Sequence, residues 1–239
     1  MEKNNFNFVK IAKPEFVKPH KRDILDANCF ILLAGKMNSG KTSIIGEALK
    51  NVHLLGKKFM RIYFCGPSPW HFLSEKEKST PGYEFQTDLS IGRIVDSLKA
   101  FNITCKEKKP DEKQDVLIIL DDLLTEIEHK TNDALLNQMI YRRRHIFSHL
   151  TISFIVTAQY FNAFPRRFRQ CLTHLVLFNV SDSDWKSITK DCSFRRSKLE
   201  ESLVRAHFER DEHNWITINL SEGQIFLNFE DLLDGNNNF

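Results

Sequence analysis

Apolar residues collect in short unbroken runs along this chain: "FILLA" (residues 30–34), "RIYFCG" (61–66), "DVLIILDD" (115–122), "TISFIVTAQ" (151–159) and "HLVLFNV" (174–180). A strand buried on both faces of a sheet needs apolar side chains at nearly every position, so these runs predict central strands. Between them the apolar period changes to that of a helix, at Ile44, Ile45, Ala48 and Leu49, at Ile91, Ile94, Val95 and Leu98, and at Leu135, Leu136, Met139 and Ile140. Strands alternating with helices predict an α/β fold: a mainly parallel sheet with helices on both faces.

The flanks differ. Residues 1–28 carry Pro14 and Pro19 in a weakly alternating stretch, which predicts an irregular or edge-strand N-terminal extension. Past Val180 a polar helical stretch, Lys186 to Glu209, precedes "NWITINLSEGQIFLNF", which predicts a hairpin turning at Glu222 and Gly223. The tail "DGNNNF" predicts disorder. The expected organisation is an extension (1–28), a core (29–180) and a helix-and-hairpin appendage with a disordered tail (181–239). A chain of 239 residues suits one substantial core.

The first predicted strand runs directly into "GKMNSGKTS" (residues 35–43), which has the spacing G-x-x-x-x-G-K-[ST] of a phosphate-binding loop. Gly35 and Gly40 allow a backbone approach that a Cβ would obstruct. Peptide N–H groups along Asn38, Ser39, Gly40 and Ser43 can turn around phosphate oxygens, helped by the positive end of the following helix. Lys41 supplies a cation for the β and γ phosphates, and Thr42 a hydroxyl oxygen for Mg²⁺. The strand before and the helix after distinguish this loop from an ordinary glycine turn. ATP and Mg²⁺ are the ligands it implies.

The third run ends in Asp121 and Asp122. A carboxylate at the carboxyl end of a buried parallel strand lies beside the phosphate loop, which gives Asp121 the Mg²⁺. Asp122 then serves as base or water-orienting group, or else it caps the next helix. Gln159 closes the fourth strand. If that strand lies between the first and the third, its amide faces the γ-phosphate and can donate to a phosphate oxygen while accepting from water; otherwise it is a solvated strand end.

Arg142, Arg143 and Arg144 follow the fourth helix, and Arg166, Arg167 and Arg169 follow the fourth strand. Cations at a helix C-terminus are favoured by its dipole. Both clusters are also expected near the edge where the ATP site opens, where an arginine finger or a nucleic-acid contact would fit. "FRRSK" (194–198) is a further candidate to track a phosphate backbone, whereas the charge-balanced "CKEKKPDEKQ" (105–114) reads as a solvated loop.

Composition changes this picture little. A formal charge of +3 is too small to argue for nucleic acid without those clusters. Five cysteines with no C-x-x-C pair read as free thiols in a reducing compartment. No apolar run reaches bilayer length and "MEKNNFNFVK" has no signal-peptide core, so a cytoplasmic location without a membrane partner is expected.

The loop, "LIILDD" and above all "RRRHIFSHLTISFIVTAQYFNAFPRRFRQCLTHLVLF" resemble the viral DNA-packaging ATPases of the FtsK/HerA superfamily, found in poxviruses, giant viruses and their virophages. In that family an Arg-His pair precedes a strand ending in Gln, followed by a proline and an arginine before the next strand. Here those positions are Arg144, His145, Gln159, Pro165 and Arg169. Over residues 29–180 the resemblance implies an additional-strand (ASCE, RecA-like) P-loop ATPase core, with Gln159 as sensor. It also implies a homo-oligomeric ring in which Arg144 acts as a finger between neighbours. The activity implied is translocation of double-stranded DNA into a preformed capsid at viral assembly sites, with capsid or portal-vertex proteins as partners. Arg142, Arg143 and Arg169 remain alternatives for the finger. The competing functions are a non-translocating P-loop NTPase or nucleotide kinase, and a conjugation or chromosome-pumping motor of the same superfamily.

Overall fold

The computed structural model describes residues 25, 28–50, 54–55, 59–67, 70, 73–108, 111–128, 130–194, 197–211, 213–229 and 231–233. In chain order its elements are β1 (Phe30–Ala34), α1 (Lys41–Lys50), β2 (Arg61–Cys65), α2 (Glu75–Lys78), β3 (Tyr83–Gln86), α3 (Ile91–Lys108), β4 (Gln114–Leu120), α4 (Leu124–Glu128) and α5 (Lys130–Tyr141). There follow β5 (Leu150–Ala158), α6 (Arg166–Arg169), β6 (His174–Leu177), α7 (Asp182–Asp191), α8 (Lys198–Arg210), β7 (Ile216–Asn219), β8 (Gln224–Leu227) and β9 (Asp231–Leu233). All five apolar runs are strands. They join one nine-stranded sheet of order β3-β2-β4-β5-β1-β6-β7-β8-β9.

Strands β3 to β6 of that order are parallel, and β5 lies between β1 and β4, the additional strand that the resemblance implies. The sheet has a core on each face. Ile31, Leu33, Leu117, Ile119 and Ile155 meet Ile44, Ile45, Ala48 and Leu49 of α1. Phe30, Leu32, Val116, Ile118 and Phe154 meet Ile94, Leu98, Leu136, Met139, Trp185 and Ile188 on the other face. Because successive side chains of a strand point to opposite faces, this alternation carries Thr157 to the face of α1, where Asp121, just past β4, bonds both Thr157 and Thr42.

One strand is added and two expectations are corrected. The edge strand β3 has no apolar run, since its side chains are half-buried or exposed and alternate in polarity. The polar stretch from Lys186 to Glu209 is two helices, because Ser197 starts α8 afresh: its hydroxyl accepts from the Glu200 amide while the Glu200 carboxylate accepts from the Ser197 amide. "CKEKKPDEKQ" is not wholly loop, since Cys105–Lys108 form the last turn of α3 and Gln114 opens β4.

The hairpin turns as expected at Glu222 and Gly223, where Asn219 Oδ1 accepts from the amides of Ser221 and Glu222. Its first strand, β7, pairs antiparallel with β6 and its second, β8, with β7, so the hairpin extends the same sheet. The predicted N-terminal extension, apart from Leu25 and Asn28, lies outside the described residues, as do the tail and the arginines at 195 and 196. Among the described residues no helix is long and apolar enough to cross a membrane. None of the five cysteines forms a disulfide, and Cys29, Cys65 and Cys105 are buried.

Candidate functional site

Every parallel strand ends on the same side of the sheet, so the loop after β1, the aspartates after β4 and the glutamine after β5 converge there. The loop is tied down at its start, where the Gly35 amide donates to the Ala158 carbonyl at 3.0 Å. A Cβ on Gly35 would stand 2.6 Å from Ser39 Oγ and 2.8 Å from Phe178 Cβ, closer than real side chains come. At Gly40 the requirement is conformational, with φ +98°. Ser39 Oγ is buried and makes no hydrogen bond within the protein, leaving an acceptor and donor turned into the loop.

Lys41 folds back over the loop, donating from Nζ to the carbonyls of Gly35 and Lys36 at 2.8 Å each. Burial lowers its pKa from the ordinary lysine value, while Asp121 and Asp122 oppose that shift. A cation held on neutral carbonyls next to two carboxylates is ready to transfer to an anionic ligand without rearranging the backbone.

Asp121 is 3% exposed. One of its oxygens accepts from Thr42 Oγ1 at 3.1 Å and the other from Thr157 Oγ1 at 2.8 Å. Asp122 is exposed and adopts φ 57°, a left-handed conformation that aspartate tolerates better than most residues. Since α4 begins at Leu124, its N-cap position falls on Leu123 and not on Asp122. The Asp122 amide donates to Thr157 Oγ1 at 2.9 Å. Sequence reasoning missed Thr157; the available signal was a hydroxyl interrupting the apolar run Phe154–Val156 at the end of the strand, two residues before Gln159.

Thr42 and Asp121 suit Mg²⁺. Both offer hard oxygens, and among the described residues no group of three or more His, Cys, Asp or Glu converges on one point. A sparse protein ligand set, completed by phosphates and water, is the usual way Mg²⁺ is held.

Gln159 is exposed and lines a cleft of about 370 Å³ with Gly35, Lys36, Tyr160, Asn162 and Asp184. A second cleft, about 490 Å³, flanks the loop at Met37 and Asn38 and reaches Phe208 and His213. Together they leave room on both sides of the loop for a ligand longer than a phosphate group.

The arginine clusters lie elsewhere. Arg143 O accepts from the Ile152 amide and Lys113 Nζ donates to Arg144 O, which puts Arg142–Arg144 at the amino ends of the strands. The Arg143 carbonyl meets β5 at Ile152 and the start of the loop meets it at Ala158, so about 20 Å, at about 3.3 Å per residue, separates this cluster from the phosphate loop of its own chain. Arg169 is committed to the fold. It is 7% exposed and donates to Asp191, Phe164 O and Asn162 O at 2.7, 2.9 and 2.8 Å. The expectation that both clusters lie near the edge where the ATP site opens is therefore not met: β5 separates Arg142–Arg144 from the loop, and Asp191 holds Arg169, the last arginine of the other cluster.

The fold is similar to that of B204, the DNA-packaging ATPase from Sulfolobus Turreted Icosahedral Virus, with a TM-score of 0.56, 14% identity, and coverage of 85% of this chain and 98% of B204. It is also similar to the genome packaging NTPase B204 from Sulfolobus turreted icosahedral virus 2 in complex with ATP-gammaS, at a TM-score of 0.54, 14% identity, and coverage of 84% and 96%. At such identity the likeness shows a shared fold. No curated protein sequence matches the chain. Sequence membership is decided by the family comparison, in which residues 17–228 match the Poxvirus A32 protein family, and the chain belongs to that family.

Proposed function

We propose that this protein is an ATP-hydrolysing motor that moves double-stranded DNA into a preformed viral capsid. The observation that carries the reading is the convergence of Lys41, Thr42, Asp121, Asp122 and Gln159 on one end of the sheet. Membership of the poxvirus A32 family and the B204 fold support it, B204 being a genome packaging ATPase and one of its structures containing ATP-gammaS.

In this reading the loop amides, with Ser39 and Ser43, bind the triphosphate of ATP, and Lys41 exchanges its two carbonyl partners for phosphate oxygens. Thr42 and Asp121 hold Mg²⁺, which when bound supplies Lewis-acid polarisation of phosphate oxygens. Asp122 takes the proton of the attacking water, while the water oxygen bonds to the γ-phosphorus and the bond to the ADP oxygen breaks. Gln159 orients that water through its amide. Arg144 lies too far from its own loop to act there, so it serves the site of the next subunit in a homo-oligomeric ring. Double-stranded DNA is the substrate moved, capsid or portal-vertex proteins are the docking partners, and viral assembly sites are the place of action.

The test is ATP hydrolysis by the purified chain with and without duplex DNA. Stimulation by unrelated duplexes alike, abolished by Lys41→Ala and weakening with salt at a slope of about −0.9 per phosphate contacted, is expected of a sequence-blind motor. Turnover indifferent to DNA, or transfer of phosphate to a second nucleotide, would overturn the proposal.

A further inference from the structure

One buried hydroxyl touches both aspartates of the site, and nothing so far assigns it a role in turnover. Thr157 is 1% exposed and sits in the middle of the sheet. The register that pairs Leu120 with Val156 sets Asp121 directly beside it. Its bonding is unambiguous. A backbone amide can only donate and a carboxylate can only accept, so Thr157 Oγ1 accepts from the Asp122 amide at 2.9 Å and gives its single hydrogen to Asp121 Oδ1 at 2.8 Å. The remaining oxygen of Asp121 faces Thr42.

We propose that Thr157 is a positioning residue that fixes the Asp121 carboxylate and the left-handed backbone of Asp122 relative to each other. The role rests on the assignments of Asp121 and Asp122 given under the proposed function. Asp121 has two oxygens, and the bond from Thr157 occupies one of them, turning the other toward Thr42 and the place of the metal. At Asp122 the left-handed backbone, φ 57°, goes with an amide that donates to Thr157 and an exposed side chain whose charge acts on Lys41. Without the hydroxyl the amide loses its partner, an aspartate in this conformation has an extended alternative, and the carboxylate at 121 can rotate about its own axis. Thr157 also precedes by two positions Gln159, the first residue past the end of β5. One strand therefore delivers both the spacer between the aspartates and the group that faces the attacking water.

The experiment compares Thr157→Val with Thr157→Ser in the full chain. Valine keeps the shape and loses the hydroxyl, while serine keeps the hydroxyl and loses the methyl group. If Thr157 served only to fill space, valine would be harmless and serine damaging; the positioning role predicts the reverse. Thr157→Val should lower kcat about 10- to 100-fold, the usual cost of removing the partner that orients a metal-binding carboxylate, with ATP KM little changed. Thr157→Ser should restore most of it. Thr157→Ala carries the same expectation if the valine variant does not fold.

Amide hydrogen exchange at Asp122, measured without nucleotide, reads the contact whether or not ATP is hydrolysed. It should speed up several-fold in Thr157→Val and stay slow in Thr157→Ser. Normal kcat in Thr157→Val, failure of serine to rescue, or unchanged exchange at Asp122 would each overturn the proposal. Lack of ATP hydrolysis by the unmodified chain would count against the proposed function and leave the exchange result to decide this contact.

Discussion

Two clusters of three arginines, Arg142–Arg144 and Arg166–Arg169, look equivalent in the sequence and have opposite situations in the fold. In the second, Asp191 accepts from both Arg169 and Arg166 at 2.7 and 3.1 Å, and the Arg169 guanidinium lies 4.9 Å from the centre of the Phe161 ring. In the first, Arg142 and Arg144 are exposed, and only Arg143 is half-buried. Burial, reinforced by the neighbouring Arg144 charge, lowers the pKa of Arg143. The difference comes from one carboxylate. Asp191 ends α7 and is buried under α6, so the charge of Arg169 is spent inside its own chain, whereas the charge of Arg144 faces outward. A cluster of one charge becomes scaffold or effector according to whether the fold buries an opposite charge against it.

That comparison yields substitutions that should separate cleanly. The largest effect is expected from Arg144→Ala, which should lower ATP turnover by about 10³ to 10⁵ if the guanidinium stabilises the transition state, with thermal unfolding unchanged. Steady-state hydrolysis and a melting curve on one preparation read both. A lowered melting temperature with normal turnover would erase the contrast.

Arg169→Ala should do the converse. Stranding Asp191 without its buried partner costs about 3 to 5 kcal/mol in folding free energy, measurable by denaturant titration. Replacing the pair by Arg169→Met with Asp191→Leu should recover much of that loss. If the single substitution leaves stability intact, Arg169 is not the scaffold described.

The smallest effect belongs to Arg166→Ala. This arginine shares Asp191, but its side chain is 67% exposed, and an exposed ion pair contributes about 0 to 1 kcal/mol. A loss as large as that of Arg169→Ala would mean that the pair, and not burial, sets the energetics.

The sequence carried the central strands, the phosphate loop and the paired aspartates in full view, because each is a local pattern: continuous apolarity, fixed spacing, acid after strand. The position of Gln159 followed only once β5 was placed between β1 and β4. Strand β3 was not legible, since Tyr83–Gln86 pairs at the edge of the sheet and its half-exposed side chains give no apolar run. The break between α7 and α8 was legible and overlooked, as Ser197 and Glu200 form a capping box that marks a new helix start. The fate of Arg169 and the double contact of Thr157 were beyond sequence reading. They depend on Asp191, 22 residues downstream, and on a strand register linking positions 36 residues apart.

The central claim is that catalysis at each site is completed by an arginine from the next subunit. Its most direct test mixes two variants that are nearly inactive alone, Arg144→Ala with an intact phosphate loop and Lys41→Ala with an intact arginine, and measures DNA-stimulated ATP hydrolysis across mixing ratios. Where an Arg144→Ala loop meets a Lys41→Ala neighbour, both essential groups are present at one interface. The account predicts activity that returns in part and peaks at intermediate ratios. A mixture that assembles and remains inactive at every ratio would contradict it.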